Sequence, residues 1–450
     1  MRVPPICELL EDSTLRTVGV VSLGCSKNRV DTELMLGILR GHGYRITADE
    51  REAEILIVNT CGFIDPAKQE SIDTLLSMAK YKKKGKCKLL VATGCLVQRY
   101  EEAIRADMPE VDLLMGVSQY PQLPQAIEEA LGGQRPSYCA PDRTVLAGDR
   151  VLTTAPYSAY IRIADGCDNR CAYCAIPLIR GGFRSRGMES VLEEIRQLAQ
   201  QGVREHVLVA QDTSRFGMDT HGRSLLPELM ARAADIPGVE WLRVLYCYPD
   251  EVEDELLHAM ASRENICKYL DLPLQHADPE LLRRMNRRGD IDKTRAFLKK
   301  ARDMGFTLRT TFITGFPGET DAQFERLMDF ARDIRFDRLG AFAYSAEEDT
   351  PAAAMPGQLP EEVKQARLDA LMTAQQVISL ERNRLRIGNT ERALVESVDA
   401  DGVGTARTSA EAPETDGVIR LAGCGECDIG EFVTARITDA ETYDLIGVKA

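Results

Sequence analysis

The stretch Gly166-Cys-Asp-Asn-Arg-Cys-Ala-Tyr-Cys-Ala-Ile-Pro177 sets Cys167, Cys171 and Cys174 in the spacing C-x3-C-x2-C. Cysteine thiolates are the usual protein ligands of iron–sulfur clusters. Three of them on one short loop can hold three irons of a four-iron cluster and leave the fourth iron open. An open coordination position is what separates a catalytic metal site from a structural one. A zinc site would want a fourth Cys or His close by, and the first to follow is His206.

The cysteine loop follows the apolar run Ala159–Ala164, the first of six strand-like runs between residues 153 and 384. The others are His206–Ala210, Trp241–Tyr248, Ile266–Leu272, Phe306–Ile313 and Arg338–Tyr344, each trailed by a helical pattern. Six βα units predict an open, partial parallel barrel, short of the usual eight. Function in such folds gathers at the C-terminal ends of the strands, which is where the cysteine loop falls. Gln211 and Asp212 end the second run, Gln275 and His276 follow the fourth, and Gly315-Phe-Pro-Gly-Glu319 follows the fifth. These positions suit a cofactor pocket, although each could equally shape a barrel rim. No Lys-Ser/Thr follows Gly315–Glu319, so that turn is not read as a phosphate loop. The run Glu361–Arg384 reads as one closing helix with Gly388 just past its end.

Residues 17–132 predict a second parallel α/β domain. Three continuously apolar runs each end in a cysteine: Val18–Cys25, Ile55–Cys61 and Leu89–Cys95. Helical patterns follow, at Thr32–Leu39 and Ala67–Lys80 for example. Open α/β sheets bind ligands beyond the carboxyl ends of their strands, so Cys25, Cys61 and Cys95 fall on one edge and could hold a second cluster. The plainer alternative is that a small, easily buried residue suits each strand end. Residues 133–152, with Gly132-Gly133 and two prolines, read as a linker in which Cys139 has no special role. Residues 386–450 switch to about five short antiparallel strands between turns, as in a small closed barrel of the OB kind. This segment holds six basic and thirteen acidic residues, the wrong balance for gripping RNA.

A chain of 450 residues has room for two or three domains of roughly 100–200 residues each. No apolar run approaches the roughly 18 residues of a membrane span. Met1–Leu10 has no signal-peptide core, so a cytoplasmic location is expected. In that reducing compartment thirteen cysteines point to metal binding or chemistry rather than bridges. The formal charge of −14 argues against bulk electrostatic binding of nucleic acid and fits a cationic partner.

Cys167–Cys174 with Tyr173 resembles the cluster loop of the radical S-adenosylmethionine superfamily. Ser22-Leu-Gly-Cys-Ser-Lys-Asn28, Asn59-Thr-Cys-Gly-Phe-Ile64 and Gly94-Cys-Leu-Val-Gln-Arg-Tyr100 resemble the N-terminal domain of the methylthiotransferases, and the final barrel looks like their TRAM domain. The likeness covers nearly the whole chain from about residue 17; the extension before it, with Cys7, has no counterpart. The cluster loop through Gly181, Leu208–Ser214 and Tyr443–Gly447 look more like the ribosomal-protein branch of that family than the tRNA-modifying branch.

The resemblance implies methylthiolation of the β-carbon of an aspartate on small-subunit ribosomal protein S-twelve. It implies two [4Fe-4S] clusters, on Cys167, Cys171 and Cys174 and on Cys25, Cys61 and Cys95, and two molecules of S-adenosylmethionine. The first cluster would reduce one molecule to a 5′-deoxyadenosyl radical that takes the hydrogen. The second would give up sulfur, and another S-adenosylmethionine the methyl group. Tyr173 would lie near the adenine, with Gln211, Asp212, Gln275 and Gly315 in the pocket. An electron donor such as flavodoxin or ferredoxin and a sulfur donor are implied as partners. The competing readings are a tRNA adenosine methylthiotransferase, which would carry a basic barrel, and a non-catalytic iron–sulfur carrier, which would have no use for the large central barrel. Cys247 and Cys267 are expected in the core, Cys424-Gly-Glu-Cys427 as a barrel turn, and Lys80–Lys88 as a solvated basic run.

Overall fold

The computed structural model describes residues 16–140, 144–249 and 254–450, so the extension with Cys7 lies outside the described residues. The chain divides into two compact units, one ending at Thr153 and the other running from Thr154 to Ala450.

The first unit is built on strands β1 (Thr17–Ser22), β2 (Arg45–Ile46), β3 (Ile55–Thr60), β4 (Leu89–Gly94), β5 (Leu113–Met115) and β6 (Ser137–Tyr138). They lie in the order β2-β1-β3-β4-β5-β6 with every pairing parallel. Alternate residues of one strand feed two cores, which is why the runs are apolar throughout rather than alternating. Ile55 and Ile57 pack with Met35 and Leu39 of helix α1 (Ser26–Gly41), whereas Leu56 and Val58 pack on the opposite face with Leu75 and Leu96.

The segment 133–152 is not a bare linker. Within it β6 pairs with β5 (Leu114↔Ser137, Met115↔Tyr138), and at its end Arg150, Val151 and the following Thr153 form a strap on Glu33 of α1. Val151 N–H donates to Glu33 O (3.1 Å) and Thr153 N–H to Glu33 Oε1 (2.8 Å), while Arg150 Nη1 stands 3.3 Å from Glu33 Oε2. Cys139 is buried at the end of this sheet, and burial pushes its thiol up to about 11.

In the second unit, β7 (Ser158–Arg162), β8 (Glu205–Val209) and β9 (Trp241–Val244) form one parallel set. Strands β10 (Tyr269–Asp271), β11 (Thr307–Thr314) and β12 (Arg338–Ala343) form another. A parallel bridge Leu242↔Ile266 joins the sets, giving the expected crescent of six strands in chain order. The third and fourth strands are shorter than their apolar runs. Tyr246 adopts φ 63° and ends the third early, leaving Cys247 buried just beyond it. The closing helix spans Glu361–Arg384, as expected.

Strands β13 (Thr390–Val398), β14 (Val403–Thr408), β15 (Ile419–Ala422), β16 (Phe432–Ala440) and β17 (Leu445–Lys449) close a barrel in the order β13-β14-β15-β17-β16. The β15–β17 pairing is parallel and the other four are antiparallel. The barrel packs on the crescent through a buried charge cluster. Glu205 of β8 accepts from Arg407 Nη2 of β14 (2.7 Å), Arg243 Nε of β9 (3.1 Å) and Ser158 Oγ (2.9 Å). Beside it, Trp241 and Phe432 meet edge to face with centroids 4.7 Å apart.

Candidate functional site

Strands β3 and β4 lead directly into Cys61 and Cys95, and β1 reaches Cys25 through Leu23 and Gly24. Cys25 caps α1, and Cys95 opens the helix Cys95–Asp107, so two of the three sit at helix N-termini, where the dipole favours a thiolate. Glycines let the loops approach. Gly24 has φ 86°, and a Cβ there would lie 2.9 Å from Cys61 Cβ and 3.0 Å from its Sγ. A Cβ on Gly62 would lie 2.7 Å from Leu96 Cα, beside Cys95.

Beneath the cysteines runs a buried polar web. Asn28 Nδ2 donates to Leu23 O (3.1 Å) and Thr60 O (2.9 Å), and Asn59 Nδ2 to Asn28 O (2.8 Å) and Thr32 Oγ1 (2.9 Å). Cys61 N–H donates to Ser71 Oγ (3.0 Å), and Cys95 Sγ lies 3.5 Å from Asn28 Oδ1. Asn28 and Asn59 were not singled out from the sequence. The available signal was an asparagine at the end of a run whose other members are mostly apolar.

In the second unit the cysteine loop leaves β7 and is framed by a short antiparallel ladder, Ala164↔Ser185 and Asp165↔Arg184. Burial pushes the Cys167 thiol up to about 11 and the Cys174 thiol up to about 12. Both therefore release a proton when they take up metal. Burial, helped by the thiols of Cys171 and Cys174, also raises the Tyr173 phenol well above its ordinary value. At the loop's base burial works to raise Asp165, but Arg180, Arg162 and Arg184 outweigh it and hold the carboxyl below the usual range.

The expected pocket residues stand at this same end. Gln211 Nε2 donates to Asp165 Oδ1 (3.0 Å). Asp212 is buried and accepts from Asn169 Nδ2 (2.8 Å) and Ser214 Oγ (2.5 Å), so its carboxylate braces the loop. Gln275 has φ 73° and exchanges backbone hydrogen bonds with β11 at Thr311 and Ile313. Gly315 N–H donates to Glu319, whose other oxygen lies 3.2 Å from His276 Nε2. Asp278 N–H donates to His276 Nδ1 (3.0 Å), which places the imidazole proton on Nε2, toward Glu319. His276 and Glu319 thus hold the Gly315 turn in place. The segment Met285–Arg287, which no sequence motif marks, clasps the cysteine loop from the side. Met285 O accepts from Ala172 N–H (2.8 Å), Asn286 Nδ2 donates to Arg170 O (2.8 Å), and Arg287 Nη1 stands 3.8 Å from Cys171 Sγ.

The remaining cysteines stay apart from these loops in the chain. Cys267 is buried beside the Leu242–Ile266 bridge; Cys424 is in the barrel core and Cys427 on its surface. In the basic run, Lys82, Lys86 and Lys88 pair with Asp112, Glu52 and Glu54.

Among the described residues no three His, Cys, Asp or Glu side chains converge on a single metal ion. A four-iron cube spreads three thiolates over three separate irons, so cysteines set around a rim suit it better than they suit zinc. The all-thiol donor sets and the close glycine approaches fit such a group.

Residues 17–116 match the uncharacterized protein family UPF0004, residues 161–331 the radical SAM superfamily and residues 387–449 the TRAM domain. The chain is 48% identical to the ribosomal protein uS12 methylthiotransferase RimO of Heliobacterium modesticaldum, over 96% of this chain and 94% of that protein. It is 46% identical to the protein of the same name from Desulforamulus reducens, over 96% and 99%. Among solved structures the fold is similar to the radical S-adenosylmethionine methyltransferase TsrM from Kitasatospora setae with cobalamin and a [4Fe-4S] cluster bound. That likeness has a TM-score of 0.53 at 14% identity, covering 93% of this chain and 80% of that one, and is one of fold. With such relatives along nearly its whole length, the chain belongs to the RimO family of radical S-adenosylmethionine methylthiotransferases.

Proposed function

We propose that the chain methylthiolates the β-carbon of an aspartate on small-subunit ribosomal protein uS12. Cys167, Cys171 and Cys174 hold the cluster that binds S-adenosylmethionine, and Cys25, Cys61 and Cys95 hold a second, sulfur-bearing cluster. When bound, these groups supply hydrogen abstraction from an unactivated C–H bond, the sulfur atom and the methyl group, chemistry beyond any side-chain base.

The polypeptide's share is placement and exclusion of water. Asn169 and Asp212 hold one side of the cysteine loop, and Met285–Arg287 hold the other. His276 and Glu319 fix the Gly315 turn, and Tyr173, packed against the buried cluster of Ala172, Leu281 and Phe316, would lie near the adenine. Asn28 and Asn59 tie together the loops carrying Cys25, Cys61 and Cys95.

The observation that carries this reading is positional. Cys25, Cys61 and Cys95 follow three parallel strands at their carboxyl ends, and Cys167, Cys171 and Cys174 follow the first strand of the crescent at the equivalent end. The acidic terminal barrel favours a basic protein over tRNA as the partner. The reading places the enzyme in the cytoplasm beside a flavodoxin- or ferredoxin-like electron donor and a separate sulfur donor. Among the described residues no helix is long and apolar enough to cross a membrane.

The test is mass spectrometry of uS12 and of tRNA digests from a strain lacking the gene. We expect uS12 to lose the mass of one SCH3 in place of H, with tRNA unchanged. The parent gene restores it and Cys167→Ala or Cys95→Ala does not. Intact uS12 with altered tRNA would overturn the reading.

A further inference from the structure

We propose that Arg287 sets the reduction potential of the cluster held by Cys167, Cys171 and Cys174. The proposal rests on those cysteines being the ligands, and begins from a charge that lacks a counterion. Arg287 is 9% exposed, and among the described residues it forms no ion pair with a carboxylate. A guanidinium does not give up its proton in a protein, and a buried cation without an anion is costly. Its neighbours include the Tyr173 phenol, which burial keeps protonated, Pro273 O, which accepts from Nη2 at 2.5 Å, the Tyr248 ring, 4.1 Å from centroid to Cζ, and Cys171 Sγ at 3.8 Å from Nη1. Only the last becomes an anion when the protein is loaded.

The geometry is held from both ends. Arg287 N–H donates to Leu282 O (2.8 Å), and the two preceding residues are bonded to Ala172 and Arg170, on either side of Cys171. The backbone carrying Arg287 is therefore fixed against the cysteine loop, and the hydrogen bond from Nη2 to Pro273 O orients its guanidinium.

Adding an electron makes the cluster more negative, and a fixed cation donating to a ligand sulfur stabilises that form more than the oxidised one. Hydrogen bonds to cluster sulfurs and burial are recognised determinants of such potentials, and the low dielectric of a buried site amplifies the charge effect. Arg287 thus holds the potential up, within reach of a biological donor. It is a positioning residue that acts through Cys171 and is not required to touch substrate.

The experiment is an anaerobic potentiometric titration of the reconstituted full-length enzyme. It follows the electron paramagnetic resonance signal that changes on adding S-adenosylmethionine, with iron measured on the same samples. Arg287→Met should keep the iron of the parent while its reduced-to-oxidised ratio at the parent midpoint falls about tenfold, a shift of roughly −59 mV for one electron. Arg287→Lys, which keeps a cation on a flexible stem, should fall between. Unchanged potential in Arg287→Met at full iron content overturns the proposal. Loss of iron from both variants also overturns it, by making Arg287 a structural clamp. A parent with no responsive signal brings down the ligand assignment itself.

Discussion

Glu205→Gln tests the joint between crescent and barrel. Glu205 is fully buried and faces Arg243 and Arg407, both buried as well. Gln keeps the shape but removes the charge, leaving Arg243 without its carboxylate and Arg407 with only the half-buried Glu396, 2.7 Å from its Nε. Removing one partner of a buried ion pair costs about 3–5 kcal/mol. A second route gives a similar figure. Burial works to raise the Glu205 pKa, but Arg407 and Arg243 outweigh it and bring it from 4.5 down to about 2, a difference of about 3 kcal/mol between charged and neutral forms.

For a unit running from Thr154 to Ala450 this lowers the melting temperature by about 5 °C. Scanning calorimetry of parent and variant at pH 7 measures it. The sign with pH follows from the depressed pKa. The parent's advantage is full above about 4.5, shrinks as pH falls, and is gone below about 2. Adding Arg407→Met to the variant should recover part of the loss by withdrawing a stranded cation. A variant that melts within about 1 °C of the parent at pH 7 would refute the reasoning, since neither route allows it.

Gly24→Ala forces a Cβ against Cys61 at positive φ, at a cost of about 1–3 kcal/mol. Iron analysis should show loss of the cluster proposed for the first unit, with the S-adenosylmethionine-responsive signal retained. Replacing Cys167, Cys171 and Cys174 together by alanine should halve the bound iron and abolish thiolation of uS12; unchanged iron would sink the ligand assignment. Brief iodoacetamide treatment of the loaded enzyme should label the exposed Cys427 well ahead of the buried Cys424, whose thiol burial holds above its ordinary value, read by peptide mass spectrometry. Loss of uS12 thiolation on labelling would give that pair a role that its place in the barrel does not suggest.

The strand-end positions of Cys25, Cys61 and Cys95 were legible because strands buried on both faces write themselves as unbroken apolar runs, and the loop of Cys167, Cys171 and Cys174 because its spacing is local in sequence. The closing helix and the five barrel strands were legible from their own periodicities. The two-residue strands β2 and β6 have no period to detect, so the strap before Thr153 passed for a linker. Trp241–Tyr248 is apolar beyond its strand because Tyr246 turns left-handed while its neighbours stay buried. Nothing local in the sequence marks Arg243 and Arg407 as buried. They are covered by packing between segments far apart in the chain, with Arg407 and Glu205 separated by about two hundred positions. Arg287 failed for the same reason, as one of two adjacent arginines after a short helix.

The fastening of Glu33 bears on how this molecule can be dissected and how it emerges during synthesis. A fragment truncated at residue 132 keeps the helix that Cys25 caps yet strands the Glu33 carboxylate, whose side-chain partners among the described residues are Arg150 and Thr153. The break point for an autonomous N-terminal piece therefore falls after Thr153. On the translating ribosome, the helix that Cys25 caps waits for residues more than a hundred places downstream before it is locked.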